Sequence, residues 1–224
     1  MKRIDTKKIV MIGVFSALAF VMTCLGNLIP IKVAGFLDYD PKDILIVIAG
    51  FILGPASALI ISVITALIEL ITISTTGPIG LVMNIISSAF FACTASVIYQ
   101  KKRTFAGAII ALLCGVVAMC LSMMLWNYLI TPLYMTSPNG ELVSREFVAS
   151  LLPTVFLPFN LIKGTLNASF AMLLYKPVVN AMRSAHLLER VEGKKSDTKI
   201  LLIVGCVVLI AICILGLLIL GGVI

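Results

Sequence analysis

Apolar runs of membrane length recur along this chain, at 9–28, 56–73, 79–99, 105–130, 151–174 and 200–224, with a shorter run at 44–53. About twenty such residues are what a helix needs to cross the hydrocarbon core of a bilayer. Soluble domains carry roughly 25% charged residues, whereas this chain carries 12%, with 61% hydrophobic residues and a mean hydropathy of +1.17. The chain therefore reads as an all-α integral membrane protein. The first run has no small-x-small cleavage pattern and is long enough to span, so it is expected to be a retained helix rather than a signal peptide.

The punctuation between the runs divides them. Pro30 ends the first, Gly54-Pro55 separates the short 44–53 run from the next, and Ser74 to Pro78 forms a turn. A ten-residue helix rises only ~15 Å, so the 44–53 segment spans incompletely or tilts. Asp43 is placed to cap it. Pro153 and Pro158 stand at the start of the 151–174 run and are expected to distort it. Three regions result: a membrane domain over 1–182, a polar linker over 183–199 and a further apolar segment over 200–224, which carries no charge and no sign of chemistry.

The formal charge of +7 does not point to nucleic acid, because the basic residues sit at segment ends. With a cytoplasmic N-terminus and seven spans, all 17 lie inside except Lys32, Lys42 and Arg145 outside and Lys163 within the membrane. The positive-inside rule favours that orientation in the cell membrane. It gathers the 30–42 loop, the Trp126-Asn127-Tyr128 end and the 135–149 loop on the outer face. The 30–42 loop mixes aromatic, aliphatic and acidic residues and reads as a lid.

Lys163 is the residue that asks for an explanation. An ammonium near mid-membrane costs ~2.5–3.5 kcal/mol or more unless something satisfies it. Asn160, Lys163 and Asn167 are spaced i, i+3, i+7 and share one helix face, which should meet a cavity or a partner. Two readings stand at this point: a binding site for a partly polar small molecule, or an internal ion pair with Glu69 that only fixes packing.

Several chemistries find no support. The six cysteines (Cys24, Cys93, Cys114, Cys120, Cys206 and Cys213) lie in apolar segments without a C-x-x-C pair, and His186 is the one histidine. A phosphate-binding G-x-x-x-x-G-K-[ST] loop, H-E-x-x-H and G-x-S-x-G are all absent. The chain reads as a binder, not an enzyme, with neither metal nor cofactor, and with its energy supplied by others. Gly13, Ser16 and Ala17 put small residues on the first helix, where a partner helix could approach closely.

Several motifs together resemble one family. They are Phe36-Leu37-x-Tyr39-Asp40-Pro41-x-Asp43-Ile44 followed by Ala49-Gly50-Phe51-x-Leu53-Gly54-Pro55, then Gly77-Pro78-Ile79-Gly80-Leu81-x-Met83-Asn84, Asn127-Tyr128 with Pro132-Leu133-Tyr134, and Phe159-Asn160-Leu161-Ile162-Lys163-Gly164. The chain resembles, over about 8–179, the substrate-binding S components of energy-coupling-factor vitamin transporters, above all the riboflavin-specific members. The resemblance implies a six-helix bundle, to which the 200–224 segment adds a seventh helix. It also implies riboflavin capture from outside, and docking through Gly13 and Ala17 onto a membrane scaffold subunit that works with two cytoplasmic ATPase subunits. Another vitamin (pantothenate, folate or a thiamine precursor) and a purely structural membrane protein are the alternatives.

Riboflavin has an apolar dimethylbenzene edge, a hydrogen-bonding pyrimidinedione edge and a ribityl chain. On the implied site, Asn127, Asn160 and Lys163 meet its polar groups, with Asn84 and Asn167 as further candidates, because amides both donate and accept. Leu37, Tyr39, Trp126 and Tyr128 are assigned to packing on the flat ring. Asp40 accepts from ribityl hydroxyls or orders the loop.

Overall fold

The protein is described by a computed structural model over residues 6–28, 32–33, 37–74, 76–137, 139–188 and 200–222. Phe36 of the loop motif, Pro30, the basic residues Lys2, Arg3, Arg190, Lys194, Lys195 and Lys199, and most of the polar linker lie outside the described residues.

Among the described residues eight α-helices follow one another: α1 (Thr6–Asn27), α2 (Lys42–Leu53), α3 (Pro55–Thr72), α4 (Gly77–Lys101), α5 (Phe105–Ile130), α6 (Arg145–Leu151), α7 (Leu157–Ser184) and α8 (Ile200–Leu220). Between α1 and α2 a small hairpin pairs β1 (Lys32–Val33) antiparallel with β2 (Leu37–Asp38). Among the described residues, six helical stretches are long and apolar enough to cross a membrane, with α6 and α7 counted as one.

The short helix α2 occupies the middle of the bundle. Every residue from Lys42 to Phe51 is buried, as a helix that is apolar on all sides requires, and α1, α3, α4 and α7 all pack on it. Its abrupt end depends on Gly54, whose φ of +98° suits a residue without a Cβ. Pro55 then opens α3 with the fixed φ of a first helical turn. The cap of α2 differs from expectation. Pro41 holds the N-cap position, and Asp43 is turned into the bundle instead, fully buried.

Prolines shape the outer end of α7. Pro153 lies in a π-helical turn, Leu152–Phe156, that joins α6 to α7, the distortion its sequence position foretold. Ser144 caps α6, accepting from the Phe147 N–H at 3.1 Å, so the second outer loop ends earlier than the polar sequence suggested. At its other end α7 runs through Pro177 to Ser184, ten residues beyond the apolar run. Met182 is buried and Val178 half-buried against the core, so the helix follows its apolar contacts past Lys176. Helix α8 packs along α7, with Cys213 and Leu217 against Phe159 and Leu166.

Candidate functional site

Two largely buried charge clusters meet where residues 37–42 pack onto the helices. In the first, the Lys42 ammonium lies 2.6 Å from Asp40 Oδ2 and donates to both oxygens of Glu69, at 2.8 and 2.7 Å. Thr23 donates to Glu69 Oε1 at 2.9 Å, and Asn84 donates to Oε2 at 3.1 Å. This knot ties α1, the loop, α2, α3 and α4 together. Burial alone would push the Asp40 carboxyl up, but the ammonium groups of Lys42 and Lys163 hold it below the usual carboxylate range. It therefore stays an anion at neutral pH.

In the second cluster, Lys163 on α7 faces Asp43 on α2, with 3.9 Å between Nζ and Oδ2. Ser88 on α4 donates to Asp43 Oδ1 at 2.5 Å, while Oδ2 has no hydrogen-bond partner. The expected Lys163–Glu69 pair does not form, because Lys42 occupies Glu69. Lys42, read from sequence as an outer loop residue, is one of the most buried side chains of the molecule.

A cavity of about 170 Å³ lies above these charges. The loop contributes Leu37, Asp38, Tyr39 and Asp40; α4 contributes Met83, Asn84 and Ser87; α5 contributes Met123 and Asn127; α7 contributes Phe159, Asn160 and Lys163. Apolar and polar walls therefore alternate around one space, as in sites for small organic molecules. Two amides are held by their own helices. Asn160 donates to the Phe156 carbonyl at 2.7 Å, and Asn127 donates to the Met123 carbonyl at 2.7 Å while accepting from Thr131 at 2.9 Å. Each amide keeps a second N–H for a guest, and Asn160 also keeps its carbonyl.

Asn167, Trp126 and Tyr128 do not line this cavity. Asn167 lies two turns along α7, accepts from the Tyr39 hydroxyl at 2.7 Å and donates to the Asp40 carbonyl at 3.2 Å. It pins the loop to the helix. Burial, with Asp40 and Asp43 nearby, pushes the Tyr39 phenol well above its usual range, which keeps the proton it donates to Asn167. Trp126 packs against the main core instead, and Tyr128 is exposed with the Arg145 guanidinium 5.6 Å from its ring centre. Consecutive helical residues point about 100° apart, so the Trp126-Asn127-Tyr128 triplet could send only one side chain into the site, and that one is Asn127.

Sequence reasoning missed Lys42, Thr23, Ser88 and the inward turn of Asp43. The available signal was the Asp40-x-Lys42-Asp43 charge cluster at the mouth of an otherwise apolar helix. Among the described residues no group of three or more His, Cys, Asp or Glu side chains is arranged to hold a metal ion.

Comparison with known proteins gives a consistent neighbourhood. Residues 7–175 match the model of the family described as ECF transporter, substrate-specific component. The chain is 30% identical over 187 residues to a protein of Bacillus subtilis named riboflavin transporter FmnP, covering 81% of this chain and 98% of that one. It is 29% identical over 184 residues to the riboflavin transporter RibU of Staphylococcus aureus, covering 80% and 94%. A solved structure described as the S component of a bacterial ECF transporter superposes with a TM-score of 0.62 at 27% identity, covering 79% of this chain and 98% of that one. The match to the family model ends before α8.

Proposed function

This chain belongs to the family of ECF transporter substrate-specific components, and on that premise we propose that it binds riboflavin in the cavity between Lys163 and the 30–42 loop, taking it up from the outer face of the membrane. The relatives' names supply the substrate class. The observation that carries the assignment is an ammonium and two helix-anchored amides, Lys163, Asn127 and Asn160, set around one space with Leu37, Met83, Met123 and Phe159 as apolar walls. The pyrimidinedione edge of a flavin offers alternating carbonyl and N–H groups, which amides and an ammonium complement. The apolar residues then meet the ring's dimethylbenzene side. Leu37 and Tyr39 serve for ring packing in this arrangement, while Asn84 and Asn167 hold Glu69 and the loop rather than the guest.

A purely structural role for the Lys163 charge fits less well. Its nearest carboxylate is 3.9 Å away, beyond hydrogen-bonding distance, and a cavity adjoins it. Pockets that enclose a whole organic ligand run from ~300 Å³ upward, so a cavity of about 170 Å³ has to widen to hold a tricyclic ring, and its Leu37–Asp40 wall is where we place that widening.

Riboflavin is the cargo in this reading, not a resident cofactor, and release is driven by partners: a transmembrane scaffold subunit and two cytoplasmic ATPase subunits. Gly13 and Ala17 lie on an exposed strip of α1 with Val10, Val14 and Leu18. A Cβ added at Gly13 would meet nothing within 4 Å. That open, small-residue face suits close helix–helix docking. The basic residues at segment ends support a cytoplasmic N-terminus.

The visible spectrum of the purified protein, followed by competition among vitamins, tests the substrate. Flavin absorbance in the purified protein, and bound radiolabelled riboflavin displaced by unlabelled riboflavin but not by pantothenate, folate or a thiamine precursor, are the expected results. Displacement by one of the others instead would reassign the substrate.

A further inference from the structure

Behind the 30–42 loop lies a second and larger cavity, of about 430 Å³, which the flavin site does not use. Leu25 of α1, Ile44 of α2, Leu166 and Phe170 of α7, and Ile214 and Leu217 of α8 give it apolar walls. The one side-chain hydroxyl among its lining residues, that of Tyr39, is committed to Asn167 at 2.7 Å. Water gains nothing in such a space, because an ordered water needs two to four polar partners. Interiors packed to native density do not keep voids of this size. Leu25 and Ile214 both line the cavity and are 52% and 42% exposed. They sit on two membrane-length helices, so the cavity opens on the flank of the bundle that a bilayer would surround. Helix α8 packs along α7, and its Ile214 and Leu217 face the same cavity as Leu25 of α1.

We propose that this cavity holds one acyl chain of a bilayer phospholipid, with α8 forming its outer wall. Tyr39 and Phe159 line both cavities. The chain therefore packs against the back of the two residues whose front faces form part of the flavin site, and Pro41 and Val33 of the same loop complete the contact. A filled cavity braces the loop from behind. The lipid site rests on the apolar cavity alone and does not depend on which molecule the polar cavity binds.

Native mass spectrometry of the full-length protein tests it, with dioleoyl phosphatidylglycerol added back after exhaustive detergent exchange. The wild type is expected to rebind one lipid. Leu217→Trp, which fills the cavity, should lower rebinding at least fivefold, and so should Ile214→Trp at the rim. Leu215→Trp, at a position 51% exposed on the same helix and outside the cavity lining, should rebind like the wild type. If Leu217→Trp fails to give folded protein, Ile214→Trp against Leu215→Trp decides the matter, since both positions are half-exposed and tolerate a ring. No lipid on the wild type, or equal rebinding by the cavity and surface variants, would overturn the proposal.

Discussion

The ammonium of Lys163 stands 3.9 Å from Asp43 Oδ2, close enough for the two charges to compensate one another and too far for a hydrogen bond. Asp43 is held in place by Ser88. Lys163 thus faces a carboxylate without being hydrogen-bonded to it, and it also lines the polar cavity. The helix pair α2–α7 fixes this relationship, and Leu37, Asp38, Tyr39 and Asp40 line the cavity beside it.

Lys42 carries a different duty. Its ammonium is the shared partner of Asp40 and Glu69, and removing it leaves the buried Glu69 carboxylate without its cation and Asp40 without its nearest one. Breaking a buried pair in this way costs ~3–5 kcal/mol. Lys42→Met is expected to lower the thermal midpoint of the purified protein by many degrees, and a midpoint within a degree or two of wild type would show that the knot contributes little.

The loop is held by the Tyr39 hydroxyl on Asn167. Tyr39→Phe removes one hydrogen bond, worth ~0.5–1.5 kcal/mol net. Flavin dissociation followed by stopped-flow fluorescence should therefore quicken by about twofold to tenfold, with a smaller effect on association.

How far the sequence revealed the site depended on the residue. Lys163 stood out because a charge inside an apolar run has few explanations, and Asn160 because it shares that helix face; both line the cavity. Pro153 announced the distortion at the start of α7. The partner of Glu69 was not legible, since ion pairing is decided by which helices adjoin, and Lys42 lay in a stretch that read as loop. Trp126 and Tyr128 looked like site residues by proximity to Asn127, and helical geometry separates the three. The reach of α7 to Ser184 was hidden by Lys176 and Pro177, which mark a break only when nothing packs beyond them.

Trp126 and Tyr128 give a direct check on that separation. Trp126→Phe and Tyr128→Phe are expected to leave riboflavin affinity within about twofold in an equilibrium titration, because neither side chain lines the cavity. A tenfold loss in either would place it back on the ligand.

Asp40 makes stability pH-dependent in a defined direction. Its folded carboxyl is held below the ordinary value by Lys42 and Lys163, against ~3.9 for an unperturbed aspartate. The contribution is therefore fully present above about pH 5, and it fades as pH falls through the unfolded value toward the folded one. Asp40→Asn should lower the thermal midpoint at pH 7 and flatten its decline below pH 5. An unchanged acid profile would exclude Asp40 as a source of that dependence.

The most direct measurement is riboflavin fluorescence quenching with the full-length wild type and with Lys163→Met, which keeps the side-chain volume and removes the charge. Saturable quenching at submicromolar riboflavin is predicted for the wild type. The variant should bind at least about tenfold more weakly, as the loss of a hydrogen bond to a charged donor worth ~1.5–3 kcal/mol requires. Equal affinity in a folded Lys163→Met protein would contradict the assignment of that ammonium to the ligand.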